Sequence, residues 1–225
     1  MHIGLIGGIG VAATIVYYQR LTAAVGGPFD LTIEHADVQT LIKNNLADER
    51  EAQAEVYARH IDRLKAAGCD CVAITSLGGH FCFEETIARS SLPLVSAVAP
   101  LDAFFVNQGI SRIGLLGTRV VMHTRLFGQL GQTQAVAPDD DIERIGQSYQ
   151  DMAVSGVCTP EQRALFIKAG RRMIDTMGAQ AVVLAGTDLN LAFDGHSTGY
   201  QVIDALDVHV AQLAALATGK SQLFP

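Results

Sequence analysis

Charge is scarce in this chain, and positive charge scarcer still. Asp, Glu, Lys and Arg make up only 17% of its 225 residues, and 16 Lys and Arg stand against 23 Asp and Glu, a formal charge of −7. Nucleic-acid binding rests on clustered basic side chains that neutralise phosphates, so this balance argues against such a partner. Long apolar runs are missing too, since none reaches the roughly 18–20 residues that span a bilayer. Met1-His2 leads straight into Ile3-Gly4-Leu5-Ile6-Gly7, without a basic leader region or a cleavage site. The expectation is a soluble, cytoplasmic protein with no membrane partner. Cysteine is sparse as well. Cys69, Cys71, Cys82 and Cys158 do not make the disulfide framework of a small secreted domain. Cys69 and Cys71 flank a single residue, whereas a zinc site wants C-x-x-C and a second pair. Buried structural thiols and no metal are expected.

What the chain does have is apolar content, 49% of its residues. That supports one compact α/β domain or two small ones packed together. Strand-like runs are His2–Gly7, Leu31–His35, Cys71–Thr75, Leu94–Ala97, Ile113–Gly117 and Ala181–Ala185, with shorter ones near Ala135 and Val202. Helical patterns lie between them. Glu49–Ala67 is charged on one face and apolar on the other. Pro160–Met177 opens on Thr159-Pro160-Glu161, a capping residue followed by proline at the first helical position. Alternating strands and helices predict right-handed βαβ units and a parallel sheet.

An internal repeat organises these elements. Ile3-Gly4-Leu5-Ile6-Gly7 matches Ile113-Gly114-Leu115-Leu116-Gly117, and the same offset carries Gly68 onto Gly178, Val72 onto Val182, Ile74 onto Leu184 and Ser76 onto Gly186. The repeat predicts an α/β protein of two similar three-layer α/β/α halves with mainly parallel sheets, related by a pseudo-twofold. The halves would be residues 1–102 and 103–225, with the C-terminal helix free to pack back onto the first. A site is expected in the cleft between them, facing the carboxyl ends of the strands.

Two segments could carry chemistry. Gly8-Ile9-Gly10-Val11-Ala12-Ala13 follows a strand and fits the dinucleotide fingerprint, with Glu34 available for a ribose hydroxyl. A tight strand-to-helix turn needs the same glycines, and a Rossmann domain does not predict two repeated halves. No cofactor is therefore expected. The second segment is Thr75-Ser76-Leu77-Gly78-Gly79-His80, whose repeat partner is Ala185-Gly186-Thr187-Asp188. A helix starting after Gly78-Gly79 would offer free amide N–H groups to a carboxylate.

Several stretches resemble the aspartate/glutamate racemase superfamily. GLIGGIGVAATIVYYQRL is similar to its opening, ISRIGLLGTRVVMHTRLF to its second-half opening, GAQAVVLAGTDLNL to its second catalytic motif, and YQVIDALDVHVAQL to its closing helix. The resemblance implies cofactor-independent racemases that place one cysteine in each half, on either face of the substrate α-carbon. The first family motif reads P-C-N-T-x-H; aligned on His80, this chain has Ser76 for the cysteine and Leu77-Gly78 for the polar pair. The second reads G-C-T-E; here Gly186 stands for the cysteine, followed by Thr187 and Asp188. Cys82, two residues past His80, is either a displaced catalytic thiol or a buried one.

By this resemblance Ser76 and His80 are candidate catalytic groups, and His196, in a loop after the second motif and without a clear family counterpart, is a third candidate. Gly8, Arg50, Leu77, Gly78, Thr118, Lys168, Gly186, Thr187 and Asp188 are the candidate ligand contacts. Thr118 also suits a helix cap, Gly8 a tight turn, and Arg50 and Lys168 solvated helix faces, while His209 suits bracing of the closing helix. The implied ligand is a small carboxylic or amino acid, and the implied assembly a homo-oligomer, most simply a dimer. The implied function is isomerase-like proton transfer, altered by the loss of both thiols. A catalytically silent acid-binding protein, or a decarboxylase or lyase on the same scaffold, is the alternative.

Overall fold

The computed structural model describes residues 1–8 and 10–223, so Ile9 of the glycine-rich turn lies outside the described residues. Contacts divide the chain into two units, residues 1–97 with 209–225, and residues 98–208. The first unit runs β1 (His2–Gly7), α1 (Val11–Val25), β2 (Asp30–His35), α2 (Val38–Leu46), α3 (Arg50–Ala66), β3 (Cys71–Ile74), a short 3-10 turn (Gly78–Cys82), α4 (Phe83–Ile87) and β4 (Leu94–Val95). All pairings are parallel, in the order β2-β1-β3-β4. The second runs α5 (Leu101–Asn107), β5 (Arg112–Gly117), α6 (Arg119–His123), β6 (Gln134–Val136), α7 (Ile142–Ser155), α8 (Pro160–Met177), β7 (Ala181–Ala185), a 3-10 turn (Thr187–Leu189), α9 (Asn190–Phe193) and β8 (Val202–Asp204). Its order, β6-β5-β7-β8, repeats the first, again all parallel. In α10 (Ala205–Ala217), the residues from His209 onward belong to the first unit.

The buried strands β1, β3, β5 and β7 are those with continuous apolar runs, as parallel strands covered on both faces require. β2, at a sheet edge, alternates exposed and half-buried residues. The repeated glycines inside β1 and β5 have a packing cause. A Cβ on Gly4 would lie 3.1 Å from Leu64 Cδ1 of α3, and one on Gly114 only 2.9 Å from Met173 Sδ of α8. In each unit the crossover helix rests directly on strand backbone.

α8 begins and ends where its sequence signals lie. Thr159 Oγ1 accepts from Gln162 N at 3.2 Å, and Gln162 Oε1 accepts from Thr159 N at 2.9 Å, a reciprocal capping box ahead of Pro160. Gly178, at φ 71°, closes the helix. β4 is shorter than its apolar run predicts. Past Val95 the backbone leaves the ladder, and Ala97 N–H turns to the His80 ring. Cys69 precedes β3 and Cys71 begins it, and both thiols are buried. Among the described residues no helix is long and apolar enough to cross a membrane.

Candidate functional site

In the first unit the candidate residues gather at the carboxyl end of β3. Thr75 follows the strand with its amide and hydroxyl both donating to Ile6 O, at 3.0 and 3.1 Å. Ser76 follows, 7% exposed. The chain then winds immediately into the 3-10 turn, and this changes the expected anion cradle. Gly79 N–H donates to Ser76 O at 3.1 Å and lies 3.3 Å from Ser76 Oγ, while His80 N–H donates to Leu77 O at 3.0 Å. The Gly79 and His80 amides are thus engaged within the turn, not presented to a ligand. Gly78 O accepts from Asn45 Nδ2 at 3.0 Å, which ties the turn to the end of α2.

His80 is buried with both ring nitrogens engaged by backbone. Nε2 accepts from Ala97 N–H at 3.0 Å, so Nδ1 carries the proton and donates to Ser76 O at 2.9 Å. Burial pulls its pKa down to about 4, against the opposing bond to Ser76 O. The ring also stacks on Phe83 at 4.9 Å. A histidine held neutral between two backbone groups braces the loop that carries Ser76; proton transfer would require breaking one of those bonds. His209 is held the same way. Its Nε2–H donates to Val95 O at 3.2 Å and its Nδ1 accepts from Tyr17 Oη at 2.8 Å. Burial, then the neighbouring His80, lowers its pKa to about 3.

The other first-unit candidates take structural places. A Cβ on Gly8 would meet Leu41 Cδ1 at 2.4 Å and Ala36 O at 2.8 Å, so close packing alone demands glycine there. Arg50 is exposed and paired with Asp48 at 3.0 Å and Glu85 at 4.0 Å. Glu34, the acid that a dinucleotide ribose would need, accepts from Arg63 at 2.8 Å and lies 3.1 Å from His60 Nδ1. Burial pushes the Cys82 thiol up to about 11, with Thr86 opposing, so it stays protonated and unreactive at neutral pH.

In the second unit the candidates meet at the end of β7, where Gly186 leads into the turn of Thr187 and Asp188. All three are buried. Gly186 has an ordinary extended backbone, φ −140° and ψ 117°, so conformation does not require glycine. Space does: a Cβ there would lie 2.5 Å from Tyr149 Cε2, 2.8 Å from Tyr149 Cζ and 3.0 Å from Gly117 Cα. The Tyr149 ring, from α7, fills the position a side chain at 186 would take. Its hydroxyl donates to Asp188 Oδ2 at 3.1 Å, and burial, then the Asp188 charge, hold the phenol far above its usual pKa.

Sequence reasoning passed over Tyr149. Ile142, Ile145, Tyr149 and Met152 are all buried at helical spacing on α7, and that pattern reads as core. Thr118 caps α6, its Oγ1 accepting from Val121 N at 3.3 Å. Lys168 is exposed on α8, and His196 is exposed in the loop between α9 and β8. The structure thus brings Ser76, Leu77, Gly78 and His80 into one turn, and Gly186, Thr187 and Asp188 into another, while leaving Arg50, Lys168 and His196 on the surface.

A sequence profile described as Asp/Glu/hydantoin racemase matches residues 6–213. Among solved structures, an Asp/Glu racemase homologue from Yersinia pestis superposes with a TM-score of 0.80 at 23% identity, covering 96% of this chain and 99% of its own. An aspartate racemase homologue from Pyrococcus horikoshii gives 0.76 at 20%, covering 96% and 99%. An aspartate racemase from Picrophilus torridus gives 0.74 at 18%, covering 100% and 96%. At these identities the structural likeness speaks to the fold.

Proposed function

The chain belongs to the Asp/Glu/hydantoin racemase family, and we propose that it binds a small carboxylic or amino acid without the two-thiol proton exchange that the sequence resemblance implies. One observation carries this reading: the Tyr149 ring lies where a side chain at residue 186 would begin. The missing thiol is thus matched by a second residue that occupies its space. Ser76 supports the same conclusion. A hydroxyl is a far weaker acid than a thiol of pKa about 8.5 and works as a base or nucleophile only beside an activating group. The histidine in its own turn, His80, has both nitrogens engaged by backbone.

The binding role falls to the turn at Ser76, Leu77 and Gly78 and to that at Gly186, Thr187 and Asp188. In this reading His80 is a positioning residue, and Arg50, Lys168 and His196 are outside the chemistry. The protein works without a cofactor, as a cytoplasmic homo-oligomer whose halves divide near residue 102. A second reading, one-sided proton delivery in a decarboxylase or lyase, is favoured by the Tyr149 hydroxyl held on Asp188.

Proton NMR in deuterated water tests the proposal, run on aspartate, glutamate and a panel of small acids, with thermal-shift binding alongside. Stabilisation by at least one acid with no loss of an α-proton signal is expected. Rapid exchange on aspartate or glutamate would sink the altered-chemistry claim, and absence of any thermal shift would sink the binding claim. Carbon dioxide release from a malonate-type acid would decide for the second reading.

A further inference from the structure

α1 has the composition of a buried helix and the exposure of a surface one. Among its 15 residues Arg20 is the single charged side chain, and it is half-buried. Two other long helices differ sharply: α3 carries seven charged residues in 17, and α8 six in 18. The composition of α1 is instead that of α10, which has one charge, Asp207, in 13 residues. Yet seven residues of α10 are buried, against three of α1, namely Ala13, Tyr17 and Leu21. A helix that is apolar on every side is ordinarily covered on every side. One copy of the chain covers α1 on one side only, where Tyr17 bonds His209 of α10 and Thr14 packs against Gly7 of β1.

The uncovered side is a stripe. Val11, Ile15, Tyr18 and Thr22 recur at intervals of four, three and four residues, which puts them on one helix face. The first three are each 52% exposed. Half-exposed side chains of this size leave roughly 300 Å² of mainly apolar surface, on the scale of the largest patch of a typical monomer, which is often functional. Edge strand β2 adds to it. Gly4 backs onto Leu64 of α3 and Gly7 onto Thr14 of α1, an odd spacing that puts the two helices on opposite faces of the sheet. Glu34 points to the α3 face, where it meets Arg63 and His60. Its neighbour Ile33 therefore points to the α1 face, and it too is exposed.

We propose that this stripe is where two copies of the chain pair about a twofold axis, α1 against the partner's α1. The proposal rests on the homo-oligomer reading above and names its contact surface. Three features select a second copy. The stripe holds no charge, so turning it against itself sets no like charges together. Its spacing is self-complementary. With the helices antiparallel and the axis between Ile15 and Tyr18, Ile15 faces the partner's Tyr18 and Val11 the partner's Thr22, the reciprocity that a twofold contact demands. Its size is that of an interface centre. A stable interface buries about 800 Å² per partner, apolar at the centre and polar at the rim, and exposed Gln19, Ala23 and Ile33 extend the stripe outward. A lipid surface is a poorer match, because interfacial helices carry several Lys and Arg where α1 has Arg20 alone.

Sedimentation of the full chain over a micromolar concentration series tests this, on the wild type and two double variants, Ile15→Glu with Tyr18→Glu and Ile15→Lys with Tyr18→Lys. The wild type should be a dimer. Each variant sets like charges across the axis and should self-associate at least about a hundredfold more weakly. Mixed in equal amounts, the two variants should pair again, because Glu then faces Lys at both positions. Glu and Lys are good helix formers, so far-UV circular dichroism should match the wild type in both, which separates lost pairing from lost folding. A wild type that stays monomeric overturns the surface and the homo-oligomer reading together. A wild-type dimer with variants that dimerise equally well overturns the surface alone. So does growth into ever larger species with concentration, the mark of a head-to-tail contact. Monomeric variants that do not pair when mixed overturn the antiparallel register, and with it the twofold contact proposed.

Discussion

Putting a thiol at residue 186 should cost stability and confer no racemase activity by itself. The backbone at Gly186 is extended and accepts any side chain, so the whole effect comes from contact. A cysteine Cβ would sit 2.5 and 2.8 Å from two atoms of the Tyr149 ring and 3.0 Å from Gly117 Cα, where unstrained carbon pairs prefer about 3.5–4.0 Å. The ring must retreat by about 1 Å in a packed interior, at an overpacking cost of about 1–3 kcal/mol. If it swings away entirely, the bond from its hydroxyl to the buried Asp188 carboxylate goes too, which adds about 1.5–3 kcal/mol. Gly186→Cys should therefore lose about 3–5 kcal/mol and melt on the order of 10 °C lower. Tyr149→Ala alone opens a cavity and costs about 3–5 kcal/mol. The double variant should be more stable than the sum of the two losses by about 1–3 kcal/mol, because the cysteine then fills part of that cavity. Denaturant titration of the four proteins closes the cycle. A Gly186→Cys protein that unfolds at the wild-type midpoint, with an additive double variant, would refute the claim that Tyr149 fills the place of the missing side chain.

Acid should weaken the fold earlier than its carboxylates alone would dictate. His80 and His209 have folded pKa values pulled down to about 4 and 3, below the unfolded value of about 6.5. The unfolded chain thus binds more protons in that window. The stability these neutral rings contribute is full above about pH 6.5 and falls as pH drops toward 4, by up to about 2.7 kcal/mol per pH unit for the pair. His80→Gln, which can still accept and donate, should fold and lose about half of that slope in pH-dependent denaturation; an unchanged slope would contradict the buried neutral assignment. Removing the cap hydroxyl with Thr159→Ala should cost about 1 kcal/mol, read from the denaturation midpoint, and no change would mean the capping box is idle in solution. Asp102 accepts from the amides of Gly131, Gln132 and Thr133 at 2.9–3.0 Å. Asp102→Ala should accordingly speed hydrogen exchange at those three amides and leave β7 protected. Titration with a thiol reagent should label Cys158 first, the half-exposed one, and reach Cys69, Cys71 and Cys82 only on unfolding.

Much of the fold was legible because its causes are local. Unbroken apolar runs predict buried parallel strands, and β7 falls on the run Ala181–Ala185 without a shift. α8 falls on Pro160–Met177, since cap, proline and terminal glycine all act within a few residues. The repeated glycines of β1 and β5 were visible as a pattern, and the packing of Leu64 and Met173 explains them. β4 was read two residues too long. Apolar character extends to Ala97, but the Ala97 amide is taken by a ring 17 residues away, and no local pattern encodes that bond.

The candidate site divides along the same line. From sequence alone came the two strand-end turns and, by resemblance, the expectation that Ser76 and Gly186 stand at cysteine positions, because residue identity decides which side chains can hold a proton. Tertiary structure alone decided what surrounds those positions. It engaged both nitrogens of His80, paired His209 with a carbonyl 114 residues away, and set Tyr149 against Gly186 and Asp188 across a separation of 39 residues to the acid. Periodicity says which face of a helix turns inward. Which atom that face meets depends on how separate elements pack together, and for Tyr149 that packing set an ordinary core aromatic in the space a side chain at residue 186 would take.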